Sequence, residues 1–203
     1  MALVSTERLT KEFGALTAVS AVTVEVEEGA LHSVIGPNGA GKTTFFNLLT
    51  GQLRPTSGRI IFDGRDIAGT PPHRIAHLGI ARSFQRTSIF PTLSLLDNVW
   101  LAAFARQGSW QGLAWRRADR YPELTARALA VLGEVGLREK ASQPAREISH
   151  GEQRQLELAI ALAPAPRLLL LDEPAAGLSP DETQKMVTLV RTLKGRYTII
   201  LIE

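Results

Sequence analysis

Eight consecutive residues carry the densest chemical content of the chain: Gly36-Pro37-Asn38-Gly39-Ala40-Gly41-Lys42-Thr43. They fit the pattern G-x-x-x-x-G-K-[ST], and each residue type has a physical task. Glycines let backbone N–H groups turn inward around phosphate oxygens. A helix that starts here aims its partly positive N-terminus at the same anion, with Thr44 continuing its first turn. Lys42 adds a point charge for β- and γ-phosphates, and the Thr43 hydroxyl can ligate Mg²⁺. The plainer alternative is a glycine-rich loop that only turns the chain. The flanking pattern, an apolar strand before and a helix after, is the context that phosphate binding requires.

A second chemical cluster is Leu168-Leu169-Leu170-Leu171-Asp172-Glu173-Pro174, an apolar run ending in two acids. In an open α/β sheet, ligands bind beyond the carboxyl ends of the strands. Asp172 there would hold Mg²⁺ through Thr43 or a water. Glu173, pointing elsewhere, would accept a proton from an attacking water. Taken alone, the run also reads as a buried strand followed by a polar turn.

The elements that must position these groups are legible as patterns. Alternation around Ala18–Glu27 predicts a strand, as do the apolar runs Leu31–Ile35, Arg59–Phe62, Ile80–Phe84, Leu168–Leu171 and Tyr197–Ile202. Arg59–Phe62 ends in the turn pair Asp63-Gly64. Helices are predicted over Lys42–Thr50, Leu93–Phe104, Glu123–Leu137, Gly151–Ala163 and Pro180–Lys194. In the fourth of these, Leu156, Ala159, Ile160 and Ala163 repeat at i, i+3, i+4 and i+7. Strands alternating with helices imply a parallel sheet covered on both faces. The helical block interrupts that alternation as an inserted subdomain. The expected division is an α/β core of residues 1–87 and 161–203, with a helical subdomain at 88–160.

Composition sets outer bounds. The 203 residues are 44% hydrophobic and 21% charged, a globular balance that excludes disorder as the main state. No apolar run approaches the roughly 18–20 residues needed to span a bilayer. No charged start followed by an apolar run marks a secretory leader. The absence of cysteine excludes disulfides, thiolate metal sites and a thiol nucleophile. A cytosolic address fits. The net charge is +3, with 11 Lys/Arg against 7 Asp/Glu between Arg82 and Arg154. That excess reads as a solvated helical surface, or as a face toward a membrane, a nucleic acid or an acidic partner.

Phosphate loops of this kind serve kinases, GTPases, helicases and transport ATPases alike. No Asn-Lys-x-Asp stretch is present to read guanine. Ile148-Ser149-His150-Gly151-Glu152-Gln153-Arg154-Gln155 resembles the signature motif of ATP-binding-cassette (ABC) ATPases, usually Leu-Ser-Gly-Gly-Gln. Ser149 and Gly151 match it; Ile148, His150 and Glu152 depart. Ser149-x-x-Glu152 is equally a capping box for the next helix. The resemblance implies a P-loop NTPase fold: a RecA-like parallel sheet core, N-terminal antiparallel strands and an inserted helical subdomain. It also implies that Ser149, His150, Gly151 and Glu152 face the ATP held by a second subunit. Gln85 falls where the family places a lid glutamine that senses Mg²⁺ or the attacking water. Phe13, before Gly14, falls where the family stacks an aromatic on adenine. Ser179-Pro180-Asp181-Glu182 falls at the family's D-loop and is itself a capping box.

The resemblance covers essentially the whole chain. Gly79–Gln85, Phe90–Ser94, Asp97–Val99, Ser149–Gln155 and Pro174–Pro180 resemble most the ATP-binding subunits of branched-chain amino acid importers. Urea and short-chain amide importers are close relatives of these. The implied cofactors are ATP and Mg²⁺. The implied partners are a second ATP-binding subunit, two transmembrane permease subunits and, indirectly, an extracytoplasmic substrate-binding protein, with no nucleic acid. The implied place is peripheral, on the cytoplasmic face of the inner membrane. Trp100, Trp110 and Trp115 lie in the helical block, two of them expected in a core and the third able to serve a docking surface. The family's switch histidine would follow the strand ending at Ile202, but the chain stops at Glu203, so the C-terminal part of the cassette is expected to be absent. On that footing the chain should bind ATP better than it hydrolyses it. The alternatives left open are a soluble ABC ATPase acting on nucleic acid or the ribosome, and an ATP-binding fragment without turnover.

Overall fold

The computed structural model describes residues 2–83, 89–106 and 121–203. Fourteen α-helices and β-strands appear among them. In chain order they are β1 (Ala2–Phe13), β2 (Leu16–Glu27), β3 (Leu31–Val34), α1 (Lys42–Leu49), β4 (Ser57–Phe62), β5 (Arg65–Asp66), α2 (Pro72–Leu78) and β6 (Ile80–Arg82). Then follow α3 (Leu95–Ala105), α4 (Pro122–Glu134), α5 (His150–Leu162), β7 (Leu168–Asp172), α6 (Pro180–Leu193) and β8 (Thr198–Ile202). They fall into two compact units.

The first unit comprises residues 2–82, Arg167–Glu173 and Leu193–Glu203. It holds two sheets. One is antiparallel, in the order β2-β1-β4-β5; the other is parallel, in the order β3-β8-β7-β6. β4 and β5 join through Asp63 and Gly64, with φ of 49° and 74°. Two positive φ angles in a two-residue link match the right-handed twist of the strands it joins, which is why Asp-Gly stands there. All five residues of β7 are buried, as befits a strand paired in parallel on both sides. Leu168 and Leu170 from β7 and Ile200 and Ile202 from β8 share one core cluster with Phe46 and Leu49 of α1, and with Leu9 and Ile60 of the antiparallel sheet. That burial fixes α1, and so the loop before it, on the parallel sheet.

The second unit comprises the described residues of Ser83–Pro166 together with Pro174–Thr192. α3, α4 and α5 pack against one another. Trp100 stacks on Phe104 with ring centroids 5.3 Å apart, and Tyr121 meets both rings edge-on. Trp100 is thus a core residue; Trp110 and Trp115 lie outside the described residues. Asn98, buried in α3, accepts from the Phe90 N–H at 2.8 Å and donates to the Phe90 carbonyl at 3.1 Å, pinning the segment that enters the helix. Arg127 donates to the Leu162 carbonyl at 2.8 Å, a cation on the last turn of α5.

The structure moves two element boundaries and adds a short helix. The helix expected to Leu137 ends at Glu134, because Gly136 takes φ 79° and closes it. Leu137 N donates to Leu132 O and Gly136 N to Gly133 O, the paired bonds of a Schellman stop. The strand expected over Ile80–Phe84 is seen as Ile80–Arg82, and Phe84 lies outside the described residues. α2 has no counterpart in the sequence pattern. It opens on Pro72 and closes on Gly79 at φ 104°, but its seven residues make only about two turns, too few for a helical repeat to stand out.

Candidate functional site

The loop between β3 and α1 is shaped by glycine geometry. Gly39 and Gly41 take φ of +85° and +84°. A Cβ on Gly41 would lie 2.0 Å from the Ala18 carbonyl oxygen of β2, so no larger residue fits. Gly39 faces open space and is required for its dihedral alone. Gly41 caps α1, and Phe45 N donates to its carbonyl at 2.8 Å. The first N–H groups of a helix have no carbonyl within it to bond, and an anion meets them directly. The Lys42 ammonium curls over the same loop and donates to the carbonyls of Gly36 and Pro37.

A cavity of about 280 Å³ opens against this loop. Phe13, Leu16 and Ala18 line one side, Pro37 through Thr44 the base, and Glu173 another side. Of the expected nucleotide residues, Phe13, Pro37, Asn38, Gly39, Ala40, Gly41, Lys42, Thr43 and Thr44 meet here; Gly36 lies just outside, its carbonyl held by Lys42. Phe13 is 46% exposed, with the Lys11 ammonium 4.9 Å from its ring centre. A half-exposed aromatic at a cavity mouth offers a flat apolar face to a ligand ring.

Glu173 enters the cavity through an unusual backbone. Its φ is +47°, and its N–H donates to the Ile202 carbonyl at 3.0 Å. A left-handed non-glycine residue costs roughly 1–2 kcal/mol. The chain turns so sharply after β7 that Asp172 remains buried while Glu173 lines the cavity. Two adjacent acids thereby acquire different environments. The Glu203 carboxyl is pushed up by burial and, less, by the charge of Glu173.

Asp172 has a built partner that no sequence pattern assigns to it. Arg82 Nη2 lies 2.6 Å from Asp172 Oδ2, with side chains 7% and 0% exposed. Arg82 Nη1 donates to Asn47 Oδ1 of α1, also at 2.6 Å, and its guanidinium lies 5.5 Å from the Phe46 ring centre. Removing one member of such a pair strands a buried charge, at about 3–5 kcal/mol.

Among the described residues no three His, Asp or Glu side chains gather as a self-sufficient metal site. The donors of suitable chemistry for Mg²⁺ are the Thr43 hydroxyl, which lines the cavity, and the Asp172 carboxylate, which is buried on Arg82. Both are hard oxygens, and so few of them suit a small cation that completes its shell with phosphates and water. Gln85, expected to serve metal and water, lies outside the described residues.

The other expected group sits in the second unit. Ser149 caps α5, accepting from Glu152 N at 3.3 Å, while Glu152 Oε2 accepts from Ser149 N at 3.0 Å. Lys140 holds Glu152 Oε1 at 2.5 Å. The Lys140 hydrogen bond, then the Ser149 N–H, hold the Glu152 carboxyl below the usual carboxylate range. Glu182 closes the matching box on α6, accepting from Ser179 N at 3.0 Å and from its hydroxyl at 2.9 Å. Those bonds hold Glu182 low as well, with smaller help from the Gly151 N–H and the His150 charge. A Cβ on Gly151 would lie 2.5 Å from Glu182 Oε1, so a glycine is what lets this carboxylate approach α5. Ser149, Gly151 and Glu152 line a cavity of about 180 Å³ with Glu182 and Lys185. His150 borders Gly177, where an added Cβ would be 3.5 Å from its Nε2.

Comparison with known proteins gives concordant matches. The family model described as ABC transporter matches residues 19–176. The chain is 42% identical over 203 aligned residues to the high-affinity branched-chain amino acid transport ATP-binding protein BraF of Pseudomonas aeruginosa, covering 96% of this chain and 79% of that protein. It is 39% identical to the corresponding protein LivG of Escherichia coli, covering 99% and 81%. Among solved structures, an ATP-binding cassette of an ABC transporter superposes with a TM-score of 0.87 at 30% identity, covering 100% of this chain and 81% of that one. A dimeric bacterial ABC transporter cassette superposes with a TM-score of 0.80 at 25% identity, covering 98% and 87%.

Proposed function

The chain belongs to the ABC transporter family, and from that premise we propose that it is the ATP-binding and ATP-hydrolysing subunit of an importer for branched-chain amino acids. The observation that carries the reading is the cavity that gathers Phe13, the 37–44 loop and Glu173. The printed functions of the BraF and LivG relatives support the substrate class.

In this reading the loop N–H groups and Lys42 hold the β- and γ-phosphates, and Phe13 stacks on the base. Thr43 and Asp172 would hold Mg²⁺, which would neutralise developing phosphate charge. Glu173 orients a water and accepts its proton, a role typically contributing about 10²–10⁴ in rate. Gln85 is assigned to the same water and cation. Ser149, His150, Gly151 and Glu152 present the α5 N-terminus to ATP on a second ATP-binding subunit. A dimeric cassette among similar structures supports that pairing. The core is taken as 1–87 with 161–203 and the helical subdomain as 88–160, the latter transmitting closure to two membrane permease subunits. An extracytoplasmic binding protein would deliver the amino acid. No helix among the described residues is long and apolar enough to cross a membrane. The subunit is assigned to the cytoplasmic membrane face through its permease partners.

The test is Mg-ATP binding and phosphate release by the chain and by Lys42→Ala. Loss of a charge-assisted contact of about 1.5–3 kcal/mol weakens binding by roughly 10–150-fold. Unaltered ATP affinity in Lys42→Ala refutes the cradle. Reconstitution with its membrane subunits and uptake of labelled leucine, isoleucine or valine tests the cargo. Uptake confined to another solute class refutes that assignment.

A further inference from the structure

Arg82 is the strongest feature that the proposed chemistry leaves without a role. Its guanidinium uses three surfaces at once. One arm is on Asp172 Oδ2 at 2.6 Å, the other is on Asn47 Oδ1 at 2.6 Å, and the central carbon lies 5.5 Å from the Phe46 ring centre. Asp172 ends β7; Asn47 and Phe46 belong to α1, the helix that begins at Lys42. One buried side chain thus ties the acid at a strand end to the helix whose first turn carries Thr43.

We propose that Arg82 is a positioning residue for the divalent cation, fixing the Asp172 carboxylate relative to Thr43. The inference rests on the Mg-nucleotide reading of the site given above. Holding Oδ2 along a set direction fixes the plane of the carboxylate, and hence where its other oxygen points. A ligating carboxylate is commonly oriented in this way by a hydrogen bond from outside the metal shell, and loss of such a bond typically costs about 10–100-fold in metal affinity. The second arm matters equally, because it locks the carrier of the first arm to the helix that supplies the other ligand. Only arginine spans both acceptors, since its fork is planar and rigid while a lysine ammonium is a single point charge.

The alternative is that the pair merely neutralises a buried acid. That role needs one contact and does not need Asn47. A third possibility is that the cation-like guanidinium competes with the metal for Asp172. The three roles differ in one readout, the Mg²⁺ concentration that half-maximally enhances nucleotide binding.

The experiment titrates a trinitrophenyl-labelled ATP into the full chain, first in EDTA and then across Mg²⁺ concentrations. It compares the parent with Arg82→Gln, Arg82→Lys, Asn47→Ala and Lys42→Ala. Positioning requires that Arg82→Gln bind nucleotide in EDTA within about twofold of the parent, yet need about 10–100-fold more Mg²⁺. Asn47→Ala, which leaves the Asp172 contact intact, should shift the Mg²⁺ requirement in the same direction by less. Arg82→Lys should recover only part of the loss. A folded Arg82→Gln with an unchanged requirement overturns the proposal in favour of simple neutralisation. A lowered requirement overturns it in favour of competition. Should Arg82→Gln fail to fold, Asn47→Ala and Arg82→Lys decide, and an unchanged requirement in both overturns it. Failure of the site reading looks different: the parent then binds no nucleotide, or Lys42→Ala binds as well as the parent, and the role of Arg82 falls with it.

Discussion

Gly41→Ala is the most informative single perturbation of the phosphate loop, because Gly39→Ala serves as its internal control. Both residues sit at nearly the same positive φ, +84° and +85°. A side chain at either position bears the left-handed penalty of roughly 1–2 kcal/mol. They differ in surroundings. At Gly39 an added Cβ meets nothing within 4 Å. At Gly41 it would lie 2.0 Å from the Ala18 carbonyl, whereas ordinary contact begins near 3.4 Å, so β2 or the loop must retreat by more than 1 Å. Backbone cannot yield as a flexible side chain does, and overpacking of this kind adds about 1–3 kcal/mol. Gly41→Ala should therefore cost about 2–5 kcal/mol and Gly39→Ala about 1–2 kcal/mol. For a chain of this length, 1 kcal/mol moves the melting temperature by roughly 2–4 °C. The expected drops are then about 4–20 °C and about 2–8 °C, read by circular dichroism on heating. Nucleotide affinity, measured by calorimetry at a temperature where both variants remain folded, should fall further in Gly41→Ala. There the displaced segment is the helix cap itself. If Gly41→Ala melts no lower than Gly39→Ala and binds equally well, the close approach of β2 to the loop is refuted.

Glu173→Gln keeps the side-chain size and the strained backbone but removes the proton acceptor. ATP affinity should stay within a few-fold while phosphate release slows by about 10²–10⁴; an unchanged rate excludes Glu173 as the base. The capping acids Glu152 and Glu182 are both held below the ordinary carboxylate value of 4.5 in the folded protein. Their contribution to stability is thus fully present above the unfolded-state value and is lost as pH falls through the lower folded one. The stability these two boxes contribute, read from melting temperature, should be flat from neutral pH down to about 5 and then decline. Glu152→Gln should narrow the difference between pH 7 and pH 4. An identical acid decline in that variant removes Glu152 from the account.

The features legible in the sequence were those carried by neighbours along the chain. The 36–43 pattern announces a strand–loop–helix because the glycines, Lys42 and Thr43 act within one turn of one another. Asp63-Gly64 announces its hairpin because two positive φ angles are a local demand. Ser149-x-x-Glu152 and Ser179-x-x-Glu182 announce helix starts because each box closes on its own backbone. Even here length set a limit. α2 carried its proline and glycine marks but only about two turns of pattern, and α4 ended at Glu134, closed by Gly136, although apolar spacing continued to Leu137.

Only the tertiary structure decided what lies far apart in the chain and close in space. Arg82 and Asp172 are ninety residues apart and meet because β6 and β7 pair in parallel. Phe13 and Glu173 face one cavity because a hairpin end and a strand end converge on α1. Asp172 and Glu173 are adjacent acids with identical local prospects. One is buried against an arginine and the other lines the cavity, because the left-handed turn at Glu173 redirects the chain where β7 ends. Spacing records which groups are present and the local geometry they impose. Register, burial and the partners of charge depend on how separate strands pack, and no local pattern encodes that.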